Sequence, residues 1–111
     1  MLRSIVFLLF LFSTIPAKAT NLNLNIQGQG FSGTVSIDLF ENLAPLHVER
    51  IILLANKGAY NGVYFHRVIE GFMAQTGDVK YGKIGSDIKK AGLGGSSLAD
   101  LTAEFSDFPF D

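Results

Sequence analysis

Polar and apolar residues alternate from the start of the second twenty: Leu22, Leu24 and Ile26 stand against Asn21, Asn23 and Asn25. A period of two sends successive side chains to opposite faces of a strand, so one face is apolar and the other wet. Gln27-Gly28-Gln29-Gly30 interrupts the pattern, and a second alternation follows, with Val35, Ile37 and Leu39 against Thr34, Ser36 and Asp38. The two segments are expected to pair as an antiparallel hairpin, with glycine supplying the positive φ that the connection needs.

The period then changes. After Pro45, Val48, Ile51, Ile52 and Ala55 fall at i, i+3, i+4 and i+7, the spacing of an amphipathic helix. Proline suits the first helical turn, where its missing N–H would have no partner, and Gly58 suits a left-handed stop after Lys57. The apolar face of this helix is expected to cover one opening of a sheet or barrel, with Glu49 and Arg50 on the wet side.

Tyr60-Asn61-Gly62 reads as a turn, followed by extended segments at 63–69 and 72–76 with a second turn at Glu70-Gly71 between them. Alternation sends Phe65, Arg67 and Ile69 to one side of the first segment, and separates Met73 and Gln75 from Phe72 and Ala74 in the second. Residues 81–97 are rich in Gly, Lys and Ser and read as a long loop; they lack the G-x-x-x-x-G-K-[ST] spacing of a phosphate-binding loop. Residues 101–105 read as another short extended piece.

Composition narrows the function classes. The 111 residues contain no cysteine, which excludes disulfides, thiolate zinc sites and cysteine nucleophiles. Nine basic residues against ten acidic ones supply no polybasic footprint for nucleic acid. Much of the apolar content belongs to the chain start: Met1-Leu2-Arg3, then an apolar run from Ser4 to Ile15, then Pro16-Ala17-Lys18-Ala19 with small residues where a signal peptidase reads. Residues 1–19 are therefore expected to be a secretory signal peptide. The run is shorter than the roughly 20 residues that span a bilayer as a helix, so no stable membrane anchor is expected after cleavage. Residues 20–111 are left as one small, mildly acidic domain, with the periplasm as the expected destination and secretion or a secretory lumen as alternatives.

The most informative stretch is FHRVIEGFMAQTGD at 65–78. It sets an arginine (Arg67), an aromatic ring (Phe72), a thioether (Met73) and an amide (Gln75) on two adjoining extended segments, a combination that suits a proline-recognising surface. A lone strand arginine is usually a solvated charge, and an isolated Phe or Met is usually core. The whole run, however, resembles the signature of the cyclophilins, peptidyl-prolyl cis-trans isomerases whose pattern runs roughly FHRVI-x-GFM-x-Q-x-GD.

The resemblance implies a cyclophilin-like antiparallel β-barrel, mainly β with a flanking helix and here incomplete at the C-terminus. It implies catalysis of X-Pro rotation in the folding of exported proteins, with proline-containing polypeptides as partners. Arg67 is the implied catalytic residue, Phe72 and Met73 the walls of the proline pocket, and Gln75 the amide that hydrogen-bonds the substrate backbone. The glycine-rich loop would border the substrate groove.

Bond rotation needs no covalent step and no cofactor, and none is expected. His66 is not needed as a proton carrier and is assigned a structural role. His47 and Glu49 lie two apart on a helix and so do not share a face, and no metal site is expected.

Thr76 departs from the pattern, since glycine is common at that place. Cyclophilins also continue beyond the point matching Asp111, with an Ala-Asn segment, further aromatic and leucine residues and a late histidine on the remaining pocket wall. The chain therefore reads as a fragment whose half-barrel leaves strand edges unpaired. The alternative reading is a truncated, non-catalytic module that binds proline peptides.

Overall fold

The structure is a computed structural model that describes residues 20–109. The signal-peptide reading of residues 1–19 lies outside the described residues. Among those that are described, no helix is long and apolar enough to cross a membrane.

The described chain is mainly β with one α-helix. Strands β1 (Thr20–Gly28) and β2 (Phe31–Leu39) form the expected antiparallel hairpin, in a register that sets Leu22 opposite Ile37 and Leu24 opposite Val35. Opposed residues share a face, so the apolar positions of both strands gather on one side. On the wet side the Thr34 hydroxyl bonds the Asn25 side-chain oxygen at 3.0 Å. The ladder runs further than the alternation, through Gly28 opposite Phe31, and turns at Gln29-Gly30, where Gly30 takes φ +82°. Backbone pairing extends the strands past the last patterned residue because its hydrogen bonds do not depend on side-chain polarity.

Helix α1 (Pro45–Asn56) starts at Pro45 and ends before Gly58 at φ +71°, as the sequence dictates. Its start lacks a local cap: the flanking Ala44 has no side-chain acceptor. Glu104 fills that role from 58 residues away, accepting from the Leu46 N–H at 3.1 Å and the His47 N–H at 2.8 Å while its carboxylate also meets His47 Nδ1. A carboxylate there satisfies two orphan donors and faces the positive end of the helix dipole. Residues 101–105 thus make no strand; they dock on α1. Arg50, expected on the wet side, instead donates to the Ala99 carbonyl at 2.8 Å, and Phe108 stacks at a tilt on Phe40 with ring centroids 5.8 Å apart.

Partial burial pushes the Glu104 pKa upward, but the bonds from His47 and Leu46 outweigh it and hold the group below its ordinary 4.5. The sign follows from linkage: the carboxylate's contribution is present above that ordinary value and is lost as pH falls below it. Glu104→Ala is expected to speed exchange of the Leu46 and His47 amides at neutral pH. In hydrogen exchange by NMR, the wild type should approach the variant's rates only in acid, after correction for intrinsic exchange.

Strands β3 (Arg67–Ile69) and β4 (Met73–Gln75) form a second two-stranded sheet. They are shorter than the segments expected at 63–69 and 72–76, because the preceding residues pair with the loop instead. Val63 bridges Lys83, and the Tyr64 N–H donates to the Gly82 carbonyl at 2.8 Å. The long loop carries one 3-10 turn, Ile88–Lys90, which periodicity did not reveal.

The expected barrel is not closed among the described residues. Four strands in two separate ribbons keep free edges, and closure around a side-chain-filled interior takes about eight. The apolar faces accordingly stay open: Val48 is the one buried hydrophobic residue described, and Val35, Ile37, Leu53 and Val68 are exposed.

Candidate functional site

The β3–β4 hairpin sets the site. Ile69 and Phe72 close a tight turn through the Phe72 N–H to Ile69 carbonyl bond at 3.1 Å, and Gly71 occupies its left-handed position at φ +71°. The register then places Arg67 opposite Gln75, Val68 opposite Ala74 and Ile69 opposite Met73. Arg67, Ile69, Met73 and Gln75 therefore share one face, and the directly opposed Arg67 and Gln75 have Cβ atoms roughly 5 Å apart.

Arg67 and Gln75 are exposed and Met73 is half-buried. Among the described residues the one ion pair is His47 with Glu104, and none of them pairs with the Arg67 guanidinium. Phe72 lies in the turn rather than in the ladder and is 75 % exposed. The structure thus brings three of the four candidates onto one face and leaves Phe72 at its rim.

The face can present a rigid fork of N–H donors beside an amide that both donates and accepts, with a thioether next to them. That suits recognition of a peptide backbone together with an apolar ring. No group of acidic, histidine or cysteine side chains that could hold a metal occurs among the described residues.

His66 stands just before β3 and is half-buried. Both ring nitrogens are buried without a hydrogen-bond partner, and the ring packs against Gly92, where an added Cβ would come within 3.1 Å of Nε2. Thr76, the departure from the family pattern, donates its hydroxyl to the Tyr64 carbonyl at 2.8 Å and so ties the end of β4 to the segment before β3.

Sequence reasoning missed Asp78. Its carboxylate is buried and accepts four backbone N–H bonds: Oδ1 from Lys80 at 3.0 Å and Tyr81 at 2.9 Å, Oδ2 from Gly92 at 2.8 Å and Gly94 at 3.0 Å. Its own carbonyl accepts from the Gly82 N–H at 2.9 Å. Donation from Tyr81, helped by Gly94, Gly92 and Lys80 and opposed by burial, lowers the Asp78 pKa to about 2. One charge thus closes both ends of the loop against the hairpin. The available signal was an acid at the end of the signature run, just ahead of a stretch too rich in glycine to hold a shape by itself.

Beside this anchor lies an open depression of about 700 Å³, lined by Lys80, Leu93, Ser96, Ser97 and Asp100 among others. It belongs to the loop and not to the Arg67 face.

The family model for the cyclophilin type peptidyl-prolyl cis-trans isomerase/CLD matches residues 22–109. A "Probable peptidyl-prolyl cis-trans isomerase" of Brucella suis biovar 1 (strain 1330) is 58 % identical over 80 residues, covering 70 % of this chain and 41 % of the relative. "Peptidyl-prolyl cis-trans isomerase A" of Dickeya dadantii (strain 3937) is 36 % identical over 76 residues, covering 68 % of this chain and 40 % of that protein. The chain thus spans about two fifths of the length of these curated relatives. No solved structure matches it. With the signature run on one hairpin and the family model matching nearly all the described residues, the chain belongs to the cyclophilin-type peptidyl-prolyl cis-trans isomerase family.

Proposed function

We propose that the protein catalyses rotation about X-Pro bonds in polypeptide substrates, with Arg67 as catalytic residue and Phe72, Met73 and Gln75 holding the substrate. The observation that carries this reading is the register that opposes Arg67 to Gln75 and Ile69 to Met73. Amide resonance sets a barrier of about 18–20 kcal/mol to the rotation. A catalyst need only bind the twisted amide better than either planar form. In the twisted amide the prolyl nitrogen becomes pyramidal and regains a lone pair, to which the Arg67 fork can donate. Gln75 pairs with the peptide backbone, and Met73 and Phe72 grip the pyrrolidine ring. No proton changes hands, and the His66 ring, packed against Gly92, is not needed for the step.

In this reading the two ribbons belong to a cyclophilin-like antiparallel β-barrel whose interior takes up the exposed apolar faces. The apolar chain start with its small-residue cleavage pattern supports export, with periplasmic proteins in need of folding as the clients.

One observation favours the second reading, a proline-peptide-binding module without catalysis: Phe72 stands exposed, with no opposing wall among the described residues. The full-length protein assayed on a short X-Pro peptide separates the two. Cis-to-trans conversion faster than the spontaneous rate is the expected result; binding with no acceleration would reject catalysis in favour of the module.

A further inference from the structure

Charge is segregated along this chain. Residues 79–97 carry Lys80, Lys83, Lys89 and Lys90 against Asp87 alone, whereas the rest of the described chain has three bases against eight acids. None of the four ammonium groups has an ion-pair partner among the described residues. The nearby acids are engaged or few: Asp78 is filled by four amides, Asp87 accepts from the Lys89 N–H at 3.2 Å, and Asp100 lines the depression that Lys80 also lines.

Two of the lysines are gathered on one ring. Lys80 Nζ lies 5.0 Å and Lys90 Nζ 5.7 Å from the Tyr81 centroid, and Tyr81 is itself fixed by its N–H to Asp78. The ring's quadrupole attracts each cation and holds both ammonium groups at one place on the loop, where each can still pair with an incoming carboxylate. The loop begins just after β4, and its Gly92 packs on His66, the neighbour of Arg67. An extended peptide advances about 3.3 Å per residue, so its flanking residues reach well beyond a bound proline.

We propose that the loop around Tyr81, through Lys80 and Lys90, selects proline segments flanked by acidic side chains. The proposal rests on the proline-isomerase reading and names its substrate class. Exposed charge pairs act modestly and are screened by salt, so the expected preference is about three- to tenfold at low ionic strength.

The test uses the full-length protein and three peptides with one X-Pro core: neutral flanks, glutamates before the core, and glutamates after it. At low salt kcat/KM should favour one acidic peptide over the neutral one by that factor, and the ratio should shrink in high salt. The double variant Lys80→Gln/Lys90→Gln should bring the ratio to about one, and Asp100→Asn should raise it. A ratio of one in the wild type, or an unchanged ratio in the lysine variant, overturns the selection. Retention on anionic phosphatidylglycerol vesicles together with a ratio of one would overturn it in favour of a lipid surface. Failure to accelerate even the neutral peptide would instead reject the isomerase reading beneath it.

Discussion

Arg67→Ala is expected to lower kcat/KM for X-Pro isomerisation by about 100- to 1000-fold, the usual loss when one well-placed donor to developing charge is removed. Arg67 sits across the ladder from Gln75 on an exposed face, so its fork can meet a peptide whose backbone the amide holds. Alanine keeps the strand and removes the donors. Arg67→Lys should recover little, because an ammonium is a point charge and cannot reproduce a planar fork. A protease-coupled or NMR exchange assay reads both variants. Rates equal to wild type for Arg67→Ala would reject the mechanism, and full rescue by lysine would replace the fork with simple charge.

The second large effect is expected at Asp78. Asparagine offers one carbonyl oxygen where the carboxylate offers two, and its NH2 group turns donors toward donors. Two of the four N–H groups from Lys80, Tyr81, Gly92 and Gly94 are then left bare. Buried donors without partners are costly, so the four amides of Asp78→Asn should exchange roughly tenfold faster or more, and thermal stability should fall. The pH dependence has a definite sign. The folded-state value of about 2 lies below the ordinary 3.8, so Asp78 stabilises the fold fully above the ordinary value. That contribution fades as pH drops through the interval and is gone below about 2. The asparagine variant should lack this acid-dependent step; retaining it would assign the step to another group.

Much of the local structure was legible in the order of residues. The hairpin followed from strict alternation and the helix from its apolar spacing with Pro45 and Gly58 at its ends. The catalytic candidates followed from the run at 65–78. Phe72 falls outside the strand expected at 72–76 because the turn does not end at Gly71 but closes through the Phe72 N–H. The Ala99 carbonyl that Arg50 meets is not legible from the helix, because a helix pattern shows which face is polar but not what lies against it.

The sequence by itself determined the hairpin, the helix limits and the signature run, since these depend on side-chain period and backbone preference within a few residues. Only the tertiary structure decided that Asp78 gathers amides up to 16 residues away and that Glu104 caps a helix 58 residues before it. It also decided that the four described strands form two separate ribbons. A hydrogen bond is chosen by distance and direction in space, and when the donor lies far along the chain no local pattern records which acceptor it will find.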